Sequence, residues 1–192
     1  MKKIVFSFAV LSICFACGPQ AGSPDSSKDL AAYSAKGKEV ASLAQQTFFQ
    51  EVNDALNEGG TEYALQFMHP IDNPKIDSLD RVYECTIGRT SNKIRNVANK
   101  PDGPEELALI EAYVNGKVQG DTVLVRNDHV IYYQPILLSM PACLQCHGQP
   151  GVDITDSTLA AIHTLYPDDQ ATGYKLGDVR GLWKVTFKDM AQ

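Results

Sequence analysis

The stretch Asp121–His147, DTVLVRNDHVIYYQPILLSMPACLQCH, decides how this chain is read. Its first part is a hairpin. Asp121 to Arg126 and His129 to Leu138 are β-rich runs, and Asn127-Asp128 between them suits a two-residue turn that needs positive φ. The second strand leads through Met140-Pro141 directly into Cys143-Leu144-Gln145-Cys146-His147. C-x-x-C-H is the attachment pattern of c-type haem. Two thioethers and one Fe–N bond must be made from a single turn of chain, which is why the spacing is so tight. Cys143 and Cys146 are the expected attachment points, and His147 is the expected proximal iron ligand. One motif implies one haem.

Other readings of the motif are open. Zinc would need a second Cys or His pair at suitable spacing, and none exists: Cys85 is the only other cysteine outside the leader, and His163 is isolated. A thioredoxin-like C-x-x-C normally opens a helix after a strand, whereas Gly148, Pro150 and Gly151 follow here and argue against a regular helix starting at the motif. A structural disulfide between Cys143 and Cys146 is the plainest alternative.

The N-terminus points to export. Lys2 and Lys3 precede an apolar run from Ile4 to Phe15, of signal-peptide length and too short for a membrane span. Ala16-Cys17-Gly18 then resembles a bacterial lipoprotein cleavage site, which would make Cys17 the acylated N-terminus. Cys14 stands where such sites usually carry leucine, and a plain cleaved signal peptide is the alternative. The expected organisation is a lipoprotein-type signal peptide over 1–17, a flexible tether over 18–29 (its core, GPQAGSPDSS, is polar and broken by prolines) and one domain over 30–192. Haem is attached to c-type proteins on the exported side of the membrane, so leader and motif agree. The formal net charge of −6 disfavours nucleic acid as a partner.

About 175 residues after the leader suffice for one sizeable core. From Leu30 to Asn57, Val40, Ala44, Phe48, Val52 and Leu56 form one helical stripe. Gly59-Gly60 ends it, Thr61 can cap a short second helix to Met68, and His69-Pro70 stops that one. Tyr83, Cys85 and Ile87 alternate with polar residues as a strand, which makes Cys85 a core residue. Arg89 to Asp102 reads as irregular. Pro104 suits a helix start, with Glu105 and Glu106 in its first turn and Leu107, Ile110 and Val114 facing inward. Thr155 or Asp156 caps a helix ending near Tyr166-Pro167, and Leu182 to Phe187 is a final strand with Trp183, Val185 and Phe187 on one side. This order is α+β, built on an antiparallel sheet.

Three segments resemble a bacterial family of single-haem c-type domains with a PAS-like fold. They are Arg89-Thr90-Ser91 with Arg95-Asn96 and Asn99-Lys100-Pro101; Tyr133-Gln134-Pro135-Ile136 leading to Cys143–Gly148; and Tyr166-Pro167-Asp168-Asp169 with Ala171-Thr172-Gly173-Tyr174 and Gly177–Gly181. The resemblance implies a PAS-like antiparallel sheet holding covalent haem, with the long N-terminal helix packed outside it. The family commonly carries a cysteine, a candidate sixth iron ligand, at the end of the short second helix. Here the chain reads Phe67-Met68-His69. Met68 takes that position and is the expected distal ligand. His69 is the alternative, Cys85 a third, and a vacant site with Met68 as packing a fourth.

Haem propionates are met by cationic donors, and Arg89, Arg95 and Arg180 lie in the matched segments. Arg89 and Arg95 could equally be solvated loop charges or pair with nearby acids. Asn96 and Asn99 are expected to satisfy loop backbone, Tyr174 and Trp183 to belong to core or pocket wall, and His129 and His163 to be ordinary surface or core histidines. No H-E-x-x-H, phosphate-binding glycine loop or G-x-S-x-G is visible. Two functions follow: an electron carrier working with a redox partner protein, or a haem-based redox or gas sensor. No signalling module is attached, so the sensor would act through a separate partner, which favours the carrier. Thiol–disulfide exchange at C-x-x-C is the third reading.

Overall fold

The computed structural model describes residues 26–69 and 73–187, so the leader, the lipidation residue Cys17 and most of the tether lie outside the described residues. The architecture is α+β, as expected. Four antiparallel strands, β1 (Cys85–Thr90), β2 (Thr122–Arg126), β3 (His129–Leu137) and β4 (Val179–Phe187), stand in the order β1-β4-β3-β2. The β2–β3 hairpin pairs Arg126 with His129 across Asn127 (φ 50°) and Asp128 (φ 63°), the positive-φ turn expected there.

β3 shows how the sheet is covered. Val130 and Tyr132 point to one face, Ile131 and Tyr133 to the other, and all four are buried. The first face packs against Val40, Ala41 and Ala44 of α1 (Ser26–Phe67), together with Cys85, Ile87, Trp183, Val185 and Phe187. Cys85 is a core residue, and burial pushes its thiol up to about 11. The second face packs Ile131, Tyr133 and Leu182 against Ile110 and Tyr113 of α3 (Pro104–Val114). Gly37 lets α1 lie close to the sheet: a Cβ there would stand 2.4 Å from the Tyr132 ring.

α1 begins four residues before its expected start and breaks where Gly59 and Gly60 predict. Gly60 takes φ +74°, a conformation open to glycine. The short arm beyond the break runs to Phe67. Its Leu65 packs with Ile154 and Ile162, the latter on α5 (Asp156–Leu165). Thr155 caps α5, its side chain accepting from the Thr158 N–H.

Several expectations need correction. A helix, α2 (Pro74–Tyr83), precedes β1, so Tyr83 is helical and not part of the strand. Its signals were local: Asn73 accepts from two first-turn N–H groups, and Pro74 follows at the helix start. Arg89 and Thr90 belong to β1, not to the irregular segment. On α3 the inward residues are Glu106, Ile110 and Tyr113, while Leu107 and Val114 are exposed, so the buried face is rotated by one position. β4 starts three residues early, at Val179. The C-x-x-C-H motif itself is helical, on α4 (Pro141–His147), which ends at His147. The glycines and proline after the motif stop that helix; they do not prevent it.

Candidate cofactor site

Residue parity along β1 builds the site. Cys85 and Ile87 face α1, so Arg89, two residues further on, faces α1 as well. It pairs with Trp183 in the β1–β4 register, and its guanidinium lies 4.3 Å from the Phe48 ring centroid and 5.7 Å from that of Trp183. A cavity open to solvent lies between the α1 arms, the Arg89–Thr90 end of β1 with the Arg180–Gly181 end of β4, and α4. Phe48, Val52, Leu56, Leu65, Ile136 and Leu138 give it apolar walls.

Both motif cysteines and His147 line this cavity. The thiols are free. Burial pushes Cys146 up to about 11, although the Arg95 charge opposes it. Zinc finds no support: among the described residues no group of three His, Cys, Asp or Glu could hold a metal.

His147 is held by its Nδ1, 2.8 Å from the Ala171 carbonyl oxygen. A carbonyl can only accept, so Nδ1 carries the proton and Nε2 keeps a free lone pair. Burial first, then the charges of Arg180 and Arg95, keep the imidazole well below its usual pKa, against the pull of the Ala171 bond. The ring is therefore neutral, in the tautomer that binds a metal through Nε2. Two backbone bonds fix the turn behind it: Tyr174 N–H donates to His147 O (2.9 Å), and Gly173 N–H to Gly148 O (2.8 Å). The motif and the Ala171–Tyr174 segment are thus one structural unit, although more than twenty residues separate them.

The three candidate arginines all line the cavity but do different things. Arg95 is consumed. Its Nε lies 2.8 Å from Asp169 Oδ1, and its Nη2 bonds Asp169 Oδ2 (3.2 Å), Cys146 O (2.7 Å) and Ala171 O (3.3 Å). Of the two sequence alternatives for Arg95, pairing with an acid is the one the structure contains. Arg89 and Arg180 have no carboxylate partner among the described residues. Arg180 donates to Ser91 Oγ (2.8 Å) and Lys93 O (3.0 Å), and its buried Nε has no partner. Burial lowers both, Arg89 to about 10 with Arg180 adding repulsion. Two half-buried cations without carboxylate partners, on an apolar cavity, are the complement of a flat apolar ligand with carboxylates at one edge. Haem fits that description, with two thiols and an Nε2 lone pair on the same wall.

Met68 lines the cavity at the end of the α1 short arm. His69 does not: it is exposed, its ring packed edge-on against Tyr166 at 5.0 Å. Thr61, expected as a cap, bonds instead to Gln145 of the motif (3.2 Å). Asn96 accepts from the Ala98 N–H, as a loop residue should. His129 and His163 are at the surface or partly so, away from the cavity.

The profile of the Tll0287-like family matches residues 31–187, nearly the whole described region. The chain belongs to the Tll0287-like family. The crystal structure of the cyanobacterial heme-protein Tll0287 aligns with it at a TM-score of 0.58, covering 89% of this chain and 99% of that one at 16% sequence identity. At that identity the likeness is one of fold. No curated protein matches the chain. The Tll0287-like match spans all three segments singled out in the sequence, and the fold shows why they go together. Arg95, the motif, and the run from Asp169 to Arg180 meet around His147.

Proposed function

We propose that this Tll0287-like chain carries one haem c, joined through Cys143 and Cys146 with His147 as proximal iron ligand, and serves as an electron-transfer protein. One observation carries the reading. The Nδ1–H bond to Ala171 leaves an Nε2 lone pair on a cavity that also presents both motif thiols and two cations lacking anions. Family membership supports it, since Tll0287 is described as a heme-protein. The haem would supply a one-electron iron couple. Arg89 and Arg180 would meet the propionates, and the apolar walls would limit water around the ring. Met68 is the proposed sixth ligand. Protein matured in a host with a c-type assembly system should gain the mass of one haem that survives acid–acetone extraction. A bare polypeptide mass would end the proposal.

Export and lipid anchoring at Cys17 belong to the same reading, resting on the leader sequence. No helix among the described residues is long and apolar enough to cross a membrane, so the anchor would be the lipid. Wild-type protein should fractionate with membranes, and Cys17→Ser should be released or left unprocessed. A soluble wild type with a different mature N-terminus would favour the plain signal peptide. A redox or gas sensor is the second reading. It is favoured by the glycine break at Gly59–Gly60, which hinges the arm bearing Met68, so that ligand exchange at iron would have an element to move.

A further inference from the structure

We propose that Arg95 is the positioning residue for His147, acting through the Ala171 carbonyl, with Asp169 as its anchor. The inference rests on the haem reading above and adds to it a residue that sets the proximal ligand.

One guanidinium nitrogen does two things at once. Arg95 Nη2 holds the Cys146 carbonyl, the peptide immediately before the ligand, at 2.7 Å. It also touches, at 3.3 Å, the same Ala171 oxygen that accepts from His147 Nδ1 at 2.8 Å. The backbone leading into the histidine and the acceptor orienting its ring are therefore tied to one planar group. That group is itself immobilised. Its Nε and Nη2 grip both carboxylate oxygens of Asp169, and the two side chains are only 9% and 2% exposed. Asp169 closes the loop by accepting from the Ala171 N–H at 3.3 Å. The remaining charges near the ring, Arg89 and Arg180, reach neither carbonyl. Lys93 bonds Thr172 O instead.

This arrangement needs a fork. Nη2 alone reaches Asp169, Cys146 O and Ala171 O, but the Nε bond to Asp169 Oδ1 fixes its direction, and an ammonium has no second nitrogen to make that bond. An imidazole whose Nδ1–H is firmly held by a carbonyl is a stronger iron donor, and it favours the ferric state. When the fork is lost, Ala171 O is free to drift, the Nδ1 bond loosens and the reduction potential rises.

The test uses two charge-conserving variants, Arg95→Lys and Asp169→Glu, in haem-loaded full-length protein. Mass spectrometry of the wild type first establishes covalent haem; its absence there is a failure of the haem reading, not of this one. In loaded protein, NMR of the reduced state follows exchange of the His147 Nδ1 proton, and a redox titration gives the potential. Each variant should speed that exchange by about tenfold, the scale of one weakened hydrogen bond, and raise the potential. Wild-type exchange and potential in both variants would overturn the proposal, even if unfolding stability drops, because the ion pair would then be a structural brace only. Should neither variant accumulate, Asp169→Asn, which keeps the side-chain shape, is read by the Nδ1 exchange alone, since its lost charge raises the potential by itself.

Discussion

Replacing Glu106 with alanine is expected to lower the unfolding free energy by about 3–5 kcal/mol, with the denaturant midpoint falling and the slope unchanged. Glu106 is 1% exposed, yet every lone pair on it is used. Oε1 accepts from Tyr133 Oη at 2.8 Å and lies 2.9 Å from Lys184 Nζ; Oε2 accepts from Thr90 Oγ1 at 3.4 Å and from the Asp102 N–H. It also sits in the first turn of α3, where the helix dipole favours a carboxylate. The alanine variant would leave Tyr133 Oη, fully buried, without its acceptor. Lys184 would keep only the exposed Asp102. Burial works against the Lys184 charge, but its bonds to Asp102 and Glu106 outweigh this and hold its pKa above the ordinary value, so the ammonium would remain charged in a half-buried place. Glu106→Gln keeps the shape and most acceptors and should cost less than the alanine. A loss below about 1 kcal/mol in Glu106→Ala would show that water replaces the carboxylate. The effect should spread beyond α3, because Thr90 ends the strand that carries Arg89 to the cavity.

The contrast between Glu106 and the hairpin shows what one sequence can disclose. Asn127-Asp128, the Gly59–Gly60 break and the Thr155 cap are local signals: each residue type suits a backbone conformation or a nearby N–H, and each element formed where those residues stand. Glu106 carries the same kind of local signal, a first-turn acid, and that reading is true but incomplete. Its burial depends on Tyr133 and Lys184, which arrive through sheet pairing. α2 has a local signature in the sequence: Asn73-Pro74 marks its start, and Ile76, Leu79 and Tyr83 repeat at helical spacing. The motif was legible because the covalent attachment proposed for it would impose fixed residue types. The division among the arginines was not. Nothing local distinguishes Arg95 from Arg89. The first meets Asp169, distant in sequence, while the second lies on the inward face of β1 and meets only aromatic rings. Parity from Cys85 and Ile87 places Arg89 facing α1, because β1 continues to Thr90.

Met68→Ala in haem-loaded protein is expected to abolish the far-red sulfur-to-iron band of the ferric state and to let carbon monoxide bind the ferrous state freely. The position argues for it. Met68 N–H still bonds Ala64 O at 3.0 Å, so the residue is held by the last turn of the short arm, and its side chain shares the cavity with His147. That arm is fixed at the motif end by Thr61 on Gln145 and at α5 by Glu62, which accepts from Ser157 (2.8 Å) and Thr158 (3.0 Å). Thioether and imidazole together give a potential higher than thiolate ligation would, which suits a carrier. His69 would have to leave Tyr166 and turn inward, and Cys85 is packed in the α1 face of the sheet, away from the cavity lining. Spectra separate these cases. A wild type that lacks the band and binds carbon monoxide has an open site, and the sensor reading then overtakes the carrier. A bis-histidine spectrum altered only by His69→Ala would mean that the arm rotates at Gly60 when haem is in place. A band lost in Met68→Ala, with covalent haem retained, fixes Met68 as the ligand opposite His147.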